Sequence, residues 1–113
     1  MSANPNPLGV LQPVPGTPLN VTANYPGLIN QPVNSMYFQV LPSNTGDVYI
    51  GIANMMDKTT GVGVIAVLRP PTANHLPDLA WQISGDPNPY VVGQYVVDCD
   101  DADDGIRADF QVW

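Results

Sequence analysis

The most regular stretch of this chain is IRADFQVW, residues 106–113. Its two sets of alternating residues are Ile106, Ala108, Phe110 and Val112 on one side and Arg107, Asp109, Gln111 and Trp113 on the other. Because successive side chains of a β-strand point to opposite faces, this pattern predicts a strand with one buried face. The other candidate strands of the chain show this alternation less regularly.

Five other segments combine apolar periodicity with flanking turn residues, and they lie at 36–41, 47–53, 62–68, 79–83 and 90–98. In the segment 47–53, Val48, Ile50 and Ile52 share one face and Asp47 and Tyr49 the other. Turn-forming residues at 42–46, 57–61 and 104–105 separate the segments. No stretch has the apolar spacing of a long helix. Six short strands predict an all-β fold: a small antiparallel β-sandwich or jelly roll, or a small open barrel.

Residues 2–46 contain no charged side chain and no histidine. Residues 1–35 hold seven prolines: Pro5, Pro7, Pro13, Pro15, Pro18, Pro26 and Pro32. Proline removes a backbone donor and is excluded from helix interiors and central strands. We therefore predict a long extended Pro-rich N-terminal arm over 1–35 and a β-sandwich or jelly-roll domain over 36–113.

The apolar side chains of this arm suggest that it binds a surface. The candidates for contact with this partner surface are Leu8, Val10, Leu11, Val14, Leu19, Val21, Tyr25, Leu28, Ile29 and Val33. Burying each contributes roughly 1.5–3 kcal/mol, and ordering each residue costs about 1–2 kcal/mol. Because the sums are comparable, we expect the arm to bind only together with a docked domain. Deleting residues 1–30 is then expected to leave a folded domain that no longer binds.

The net charge of −7 restricts the partners of this chain. Only Lys58, Arg69 and Arg107 are basic, so phosphate neutralisation cannot drive binding to nucleic acid or to an anionic membrane. Neither a signal-peptide pattern nor a membrane-spanning apolar run is present. Since Cys99 is the only cysteine, a small domain would gain stability from oligomerisation instead of disulfides.

The sharpest electrostatic feature is the acidic run Asp98, Asp100, Asp101, Asp103 and Asp104. Clustered carboxylates suit Ca²⁺, but the run lacks the glycine and glutamate spacing of a known calcium loop. An acidic, solvated hairpin loop is the favoured interpretation, and a Ca²⁺-stabilised domain is the alternative.

Catalysis and resident cofactors are not expected. The only histidine, His75, has no nucleophile motif beside it, and one His with one Cys cannot form a structural zinc site. Among the aromatic residues, Trp81 is expected in the core, whereas Tyr49 and Trp113 fall on polar faces and are candidates for a subunit interface. A carbohydrate-binding or tail-associated β-sandwich module is the alternative function.

Three segments together carry a family resemblance: GDVYIG at 46–51, TTGVG at 59–63 and LRP at 68–70, between a Pro/Asn-rich arm and an Asp-rich turn. The chain resembles the small head-decoration (cement or staple) proteins of tailed double-stranded DNA bacteriophages, especially those of epsilon-type short-tailed phages. The resemblance implies a non-enzymatic virion protein on the outer capsid surface, assembled in the host cytoplasm. It would bridge major capsid protein subunits and stabilise the DNA-filled head. A dimer is favoured and a trimer is possible, because two-fold pairing is the commonest symmetry.

Overall fold

The computed structural model describes residues 6–70, 80–84 and 91–112. Its strands are β1 (Asn6–Leu11), β2 (Leu19–Asn20), β3 (Ser35–Val40), β4 (Val48–Ile52), β5 (Val64–Leu68), β6 (Ala80–Ser84), β7 (Tyr95–Cys99) and β8 (Ile106–Gln111). Two single-turn 3₁₀ helices lie at Pro26–Leu28 and Val92–Gln94. Among these residues, no helix has the length and hydropathy needed to cross a bilayer.

The eight strands form two four-stranded antiparallel sheets. The first has the order β1-β8-β3-β6 and the second the order β2-β7-β4-β5. The predicted all-β, antiparallel sandwich is thus confirmed, and the six predicted segments correspond to β3 through β8. One difference is that β7 begins at Tyr95, because residues 92–94 form a 3₁₀ turn. Leu79, Tyr90 and Trp113, at the ends of predicted segments, lie outside the described residues.

The core lies between the two sheets. Phe38 of β3 packs against Trp81 of β6 and Tyr95 of β7, with ring centroids 5.9 Å and 6.1 Å apart respectively. In β8 the predicted alternation is confirmed, since Ile106, Ala108 and Phe110 are buried. Side chains from both sheets thus form one apolar cluster.

The predicted extended arm is not confirmed. Residues 6–11 form β1, which pairs antiparallel with β8, and Leu19–Asn20 pairs with β7. Proline fits this arrangement because β1 and β2 are end strands, where a missing donor is tolerated. The pairing of β1 shifts register between Pro7 and Gly9, and Gly9 has a φ of +81°, which glycine adopts without strain. The uncharged N-terminal segment supplies the two end strands on one side of the sandwich.

Hydrogen bonds also cross the predicted boundary between residues 35 and 36. The Val21 amide donates to the Tyr95 carbonyl at 3.1 Å, and the Gly16 amide donates to Asp98 Oδ1 at 2.9 Å. Residues 6–35 therefore form no separate arm and are part of the same packed unit as the later strands.

Candidate interaction surfaces

The ten residues predicted to bind a partner divide into two groups. Leu8, Leu11, Val21 and Val33 are buried in the core, and Leu19 and Leu28 are half-buried against it. Their first role is to stabilise this chain's own fold, which corrects the prediction that all ten are presented to a partner. The remaining four are exposed: Val10, Val14, Tyr25 and Ile29.

These four residues define what we term the N-terminal surface. Val10 lies in β1, Val14 in the turn between β1 and β2, and Tyr25 and Ile29 flank the first 3₁₀ turn. The loop that carries Tyr25 and Ile29 is hydrogen-bonded to β1 through Asn24 and to the residues before β7 through Ile29. Val14 is 70% exposed, an unusual degree for an aliphatic side chain, and the first charged residue in the sequence is Asp47. The surface combines exposed apolar groups with a segment that contributes no charge.

Hydrogen bonds hold the backbone of this surface in place. Asn24 Nδ2 donates to the Leu8 carbonyl at 3.1 Å and to the Val10 carbonyl at 3.0 Å. The Ile29 carbonyl accepts from the Gly93 amide at 3.0 Å, which ties the first 3₁₀ turn to the second. Because the backbone is already ordered, a partner would bind it at a smaller entropic cost than a free arm.

Tyr49, predicted at a subunit interface, contacts other residues of its own chain. Its hydroxyl donates to Asp100 Oδ2 at 3.0 Å, and Lys58 Nζ lies 5.9 Å from its ring centroid. Lys58 Nζ also donates to the Cys99 carbonyl at 2.6 Å and to Asp100 Oδ1 at 3.2 Å. Burial and the adjacent Asp100 carboxylate raise the pKa of Tyr49 to about 12. Trp113, the other predicted interface residue, lies outside the described residues.

The acidic run binds main-chain donors of neighbouring loops. Buried Asp104 accepts from the amides of Thr45 and Gly46, at 3.0 Å and 2.7 Å from its Oδ2. Buried Asp98 uses Oδ1 for the amides of Gly16 and Cys99. Within the described part of the chain, no three His, Cys, Asp or Glu residues are grouped so as to hold a metal ion. Asp98 and Asp104 thus act as structural acceptors for two different loops, and Asp101 accepts from the Thr45 hydroxyl in the same loop as Asp104.

The single cysteine belongs to the same region. Cys99 Sγ donates to the Asp101 carbonyl at 3.2 Å and approaches the Pro13 carbonyl at 3.4 Å. Burial, with a smaller contribution from Asp98, raises the pKa of the Cys99 thiol. A buried, protonated thiol is a packing group and a poor nucleophile.

A cleft of about 290 Å³ opens beside β7. It is lined by Gly16, Pro18, Met56, Asp57, Lys58, Thr59 and Asp98. Its polar side chains already have partners within the chain: Asp98 and Lys58 as above, and Asp57 through the Thr59 amide at 2.9 Å. The cleft therefore indicates no particular ligand.

Other candidate sites from the sequence receive no support from the geometry. His75 lies outside the described residues. The aromatic rings of Phe38, Trp81 and Tyr95 pack together in the core, and exposed Tyr25 and Tyr37 lie on different elements. The described residues thus contain no exposed aromatic groove of the kind that stacks on sugars.

Sequence reasoning missed two local arrangements: the amide of Asn24 against β1, and the cluster of Lys58, Tyr49 and Asp100. The sequence does contain one signal for this cluster, because Lys58 is one of only three basic residues in an acidic chain. Comparisons with protein-family models, curated proteins and solved structures found no match, so function must be argued from these residues themselves.

Proposed function

We propose that this chain is a non-enzymatic structural protein that decorates the outside of a phage capsid and bridges adjacent major capsid protein subunits. The observation that carries the proposal is the N-terminal surface, four exposed apolar side chains on an acidic protein, where the charged residue directly opposite Val10 in the ladder is the basic Arg107. Such a patch fits a protein partner better than a polar small molecule.

The fold is compatible with this role. The strand orders β1-β8-β3-β6 and β2-β7-β4-β5 correspond to an eight-stranded jelly roll built from two Greek keys. Jelly rolls occur in viral capsid proteins and in lectins, so the fold alone does not decide between these functions. The N-terminal surface favours a protein shell, because its exposed residues are three aliphatic side chains and one tyrosine.

The free energies of burial and association indicate that many copies must act together. Because the four side chains are 42–70% exposed, covering them completely contributes about 3–6 kcal/mol, whereas association costs about 4–15 kcal/mol. One copy is therefore expected to bind weakly. A self-associated protein on a repeating shell gains from effective concentration, and bridging of neighbouring capsid subunits follows from the same geometry.

The charge agrees with an outer position on the particle. A net charge of −7 opposes contact with packaged DNA, whose phosphates carry the same sign. The protein would thus act on the protein shell without binding nucleic acid or membrane, and it would need no cofactor.

Reconstitution tests the proposal directly. The purified full chain is mixed with expanded empty heads of the phage that encodes it, and binding is measured by co-sedimentation. We expect saturable binding that drops at least about tenfold in a Val14→Asp, Tyr25→Asp double variant, because a buried charge opposes the contact.

The control for this experiment is Val112→Asp, which places one such charge on the exposed apolar residue that follows β8 and is compared with the single variants Val14→Asp and Tyr25→Asp. It is expected to bind as the wild type does, and thermal melts verify that all variants fold. Absence of wild-type binding, or full occupancy by the double variant, would overturn the proposal.

A further inference from the structure

The β4–β5 hairpin carries a second exposed apolar surface, on the opposite side of the sandwich from β1 and β2. Among the described strands, β5 ends its sheet and has β4 as its single partner. Its sequence is VIAVL, and residues 59–68 contain no ionisable side chain. Three exposed side chains define what we term the hairpin surface: Met55, Val62 and Ile65.

The alternation of β5 turns one of these side chains outward. Leu68 and Ala66 lie opposite the buried residues Val48 and Ile50, so Ile65 faces the other side of the sheet. The pairing then shifts to Gly51 opposite Val64, which makes Ile65 the extra residue of a β-bulge. Ile65 is 38% exposed although it lies within an apolar strand.

The turn before β5 is fixed close to Met55. The Asp57 amide donates to the Val62 carbonyl at 2.8 Å, and Gly63 has a φ of +70°. A Cβ at Gly63 would lie 2.8 Å from the Met55 carbonyl carbon, so only glycine allows this approach. The hairpin surface is therefore presented on an ordered backbone.

The backbone edge of β5 has few other hydrogen bonds. Within residues 6–70, 80–84 and 91–112, the only main-chain bond of β5 outside its β4 ladder joins the Val64 amide to the Gly61 carbonyl at 3.3 Å. Proteins usually protect such edges with charges, proline or a covering segment. Strand β5 has neither a charge nor a proline between Val64 and Leu68.

We propose that the edge of β5 and the hairpin surface pair with the same region of a second copy of this chain, antiparallel about a two-fold axis. Two copies with a net charge of −7 repel each other over most of their surfaces, and an uncharged strand is where they can approach. An isologous contact of this kind needs only one self-complementary strand.

The acidic side chain of the hairpin, Asp57, lies away from this contact. It lines the cleft with Gly16, Pro18 and Asp98, on the β7 side of β4 and not at the outer edge of β5. The two sheets would join into one eight-stranded sheet, with an N-terminal surface at each far end.

This proposal deepens the self-association within the proposed function, because two outward N-terminal surfaces are what bridging requires. Its test uses the full chain in solution without capsids, so its outcome is separate from capsid binding. Mass is measured by light scattering after size exclusion and by sedimentation equilibrium over a concentration series.

We expect a dimer that Ile65→Lys weakens by roughly thirtyfold or more in Kd, since a charge at the centre of an interface is strongly unfavourable. Val14→Lys adds the same charge at the N-terminal surface and is the matched control, expected to leave the dimer intact.

Thermal melts of each variant verify folding. A monomeric wild type at the highest concentration, a trimer, or a dimer unaffected by Ile65→Lys would each overturn the proposal. A dimer lost in Ile65→Lys and retained in Val14→Lys would support it, whether or not capsids bind.

Discussion

The two opposite sides of the sandwich both expose apolar side chains, but they differ in how the backbone edge is treated. On the β1 and β2 side, Asn24 occupies two carbonyls of β1, and β2 is only two residues long and preceded by Pro18. On the β5 side, a five-residue uncharged strand ends the sheet. The first side is therefore suited to contacts through side chains, and the second to pairing through the backbone.

The largest expected effect comes from removing the first side altogether. Deleting residues 1–30 eliminates β1 and β2, removes Leu8, Leu11 and Val21 from the core, and opens the edges of β7 and β8. Each lost core side chain costs about 2–5 kcal/mol, and the sum is comparable with the about 5–15 kcal/mol that stabilises a typical domain. We expect the truncated chain to lose its cooperative thermal transition in circular dichroism.

The control for this deletion is a chain that begins at Asn6 and keeps every strand; it should melt as the full protein does. A truncated protein with a sharp transition near the wild-type temperature would show instead that residues 1–30 are dispensable for folding. It would restore the interpretation of this segment as an arm.

The sequence predicted β3 to β8 but missed β1, and the reason is local. In β1 the buried residues are Leu8 and Leu11, three positions apart, because the register shift between Pro7 and Gly9 interrupts the period of two. Strand β2 is too short for any periodicity to show. The many prolines exclude central strands, as predicted, but end strands tolerate them.

The candidate surfaces were predictable only in part, because their partners lie far apart in the sequence. The acidic run was recognisable, but nothing near Asp104 indicates that the amides of Thr45 and Gly46 bind it. The sequence also does not show which aliphatic residues of the N-terminal segment are exposed. Leu11 and Val14 are both aliphatic, but Leu11 is buried because β1 pairs with β8, whereas Val14 is exposed.

A single-residue comparison within the N-terminal segment tests this assignment. Leu11 is buried in the core and Val14 is exposed in the following turn. We expect Leu11→Ala to lower the free energy of unfolding by about 2–5 kcal/mol, and Val14→Ala to change it by less than about 0.5 kcal/mol. Urea denaturation measures both values; equal effects would contradict the placement of Leu11 inside the fold.

A smaller change removes the side-chain amide that occupies the edge of β1, so that this edge resembles that of β5. Asn24→Ala removes the amide that binds the carbonyls of Leu8 and Val10. At about 0.5–1.5 kcal/mol for each net hydrogen bond, we expect a loss of about 1–3 kcal/mol in unfolding free energy and faster amide exchange in β1. Asn30→Ala, at another exposed asparagine of the same segment, is the control and should leave both measurements unchanged.

The smallest expected effect concerns alkaline pH on the face beside β5, where Tyr49 lies opposite Val67. Because folding raises the pKa of Tyr49 from 10.0 to about 12, the folded state holds this proton more tightly than the unfolded state. The resulting stability is fully present below pH 10 and is lost as pH rises from 10 towards 12. Tyr49→Phe lacks the titrating group, so its unfolding free energy should fall less steeply across this interval than that of the wild type. Parallel pH profiles of the two proteins would show that the contact with Asp100 does not retain the Tyr49 proton. This contact would then not stabilise the β5 side of the fold.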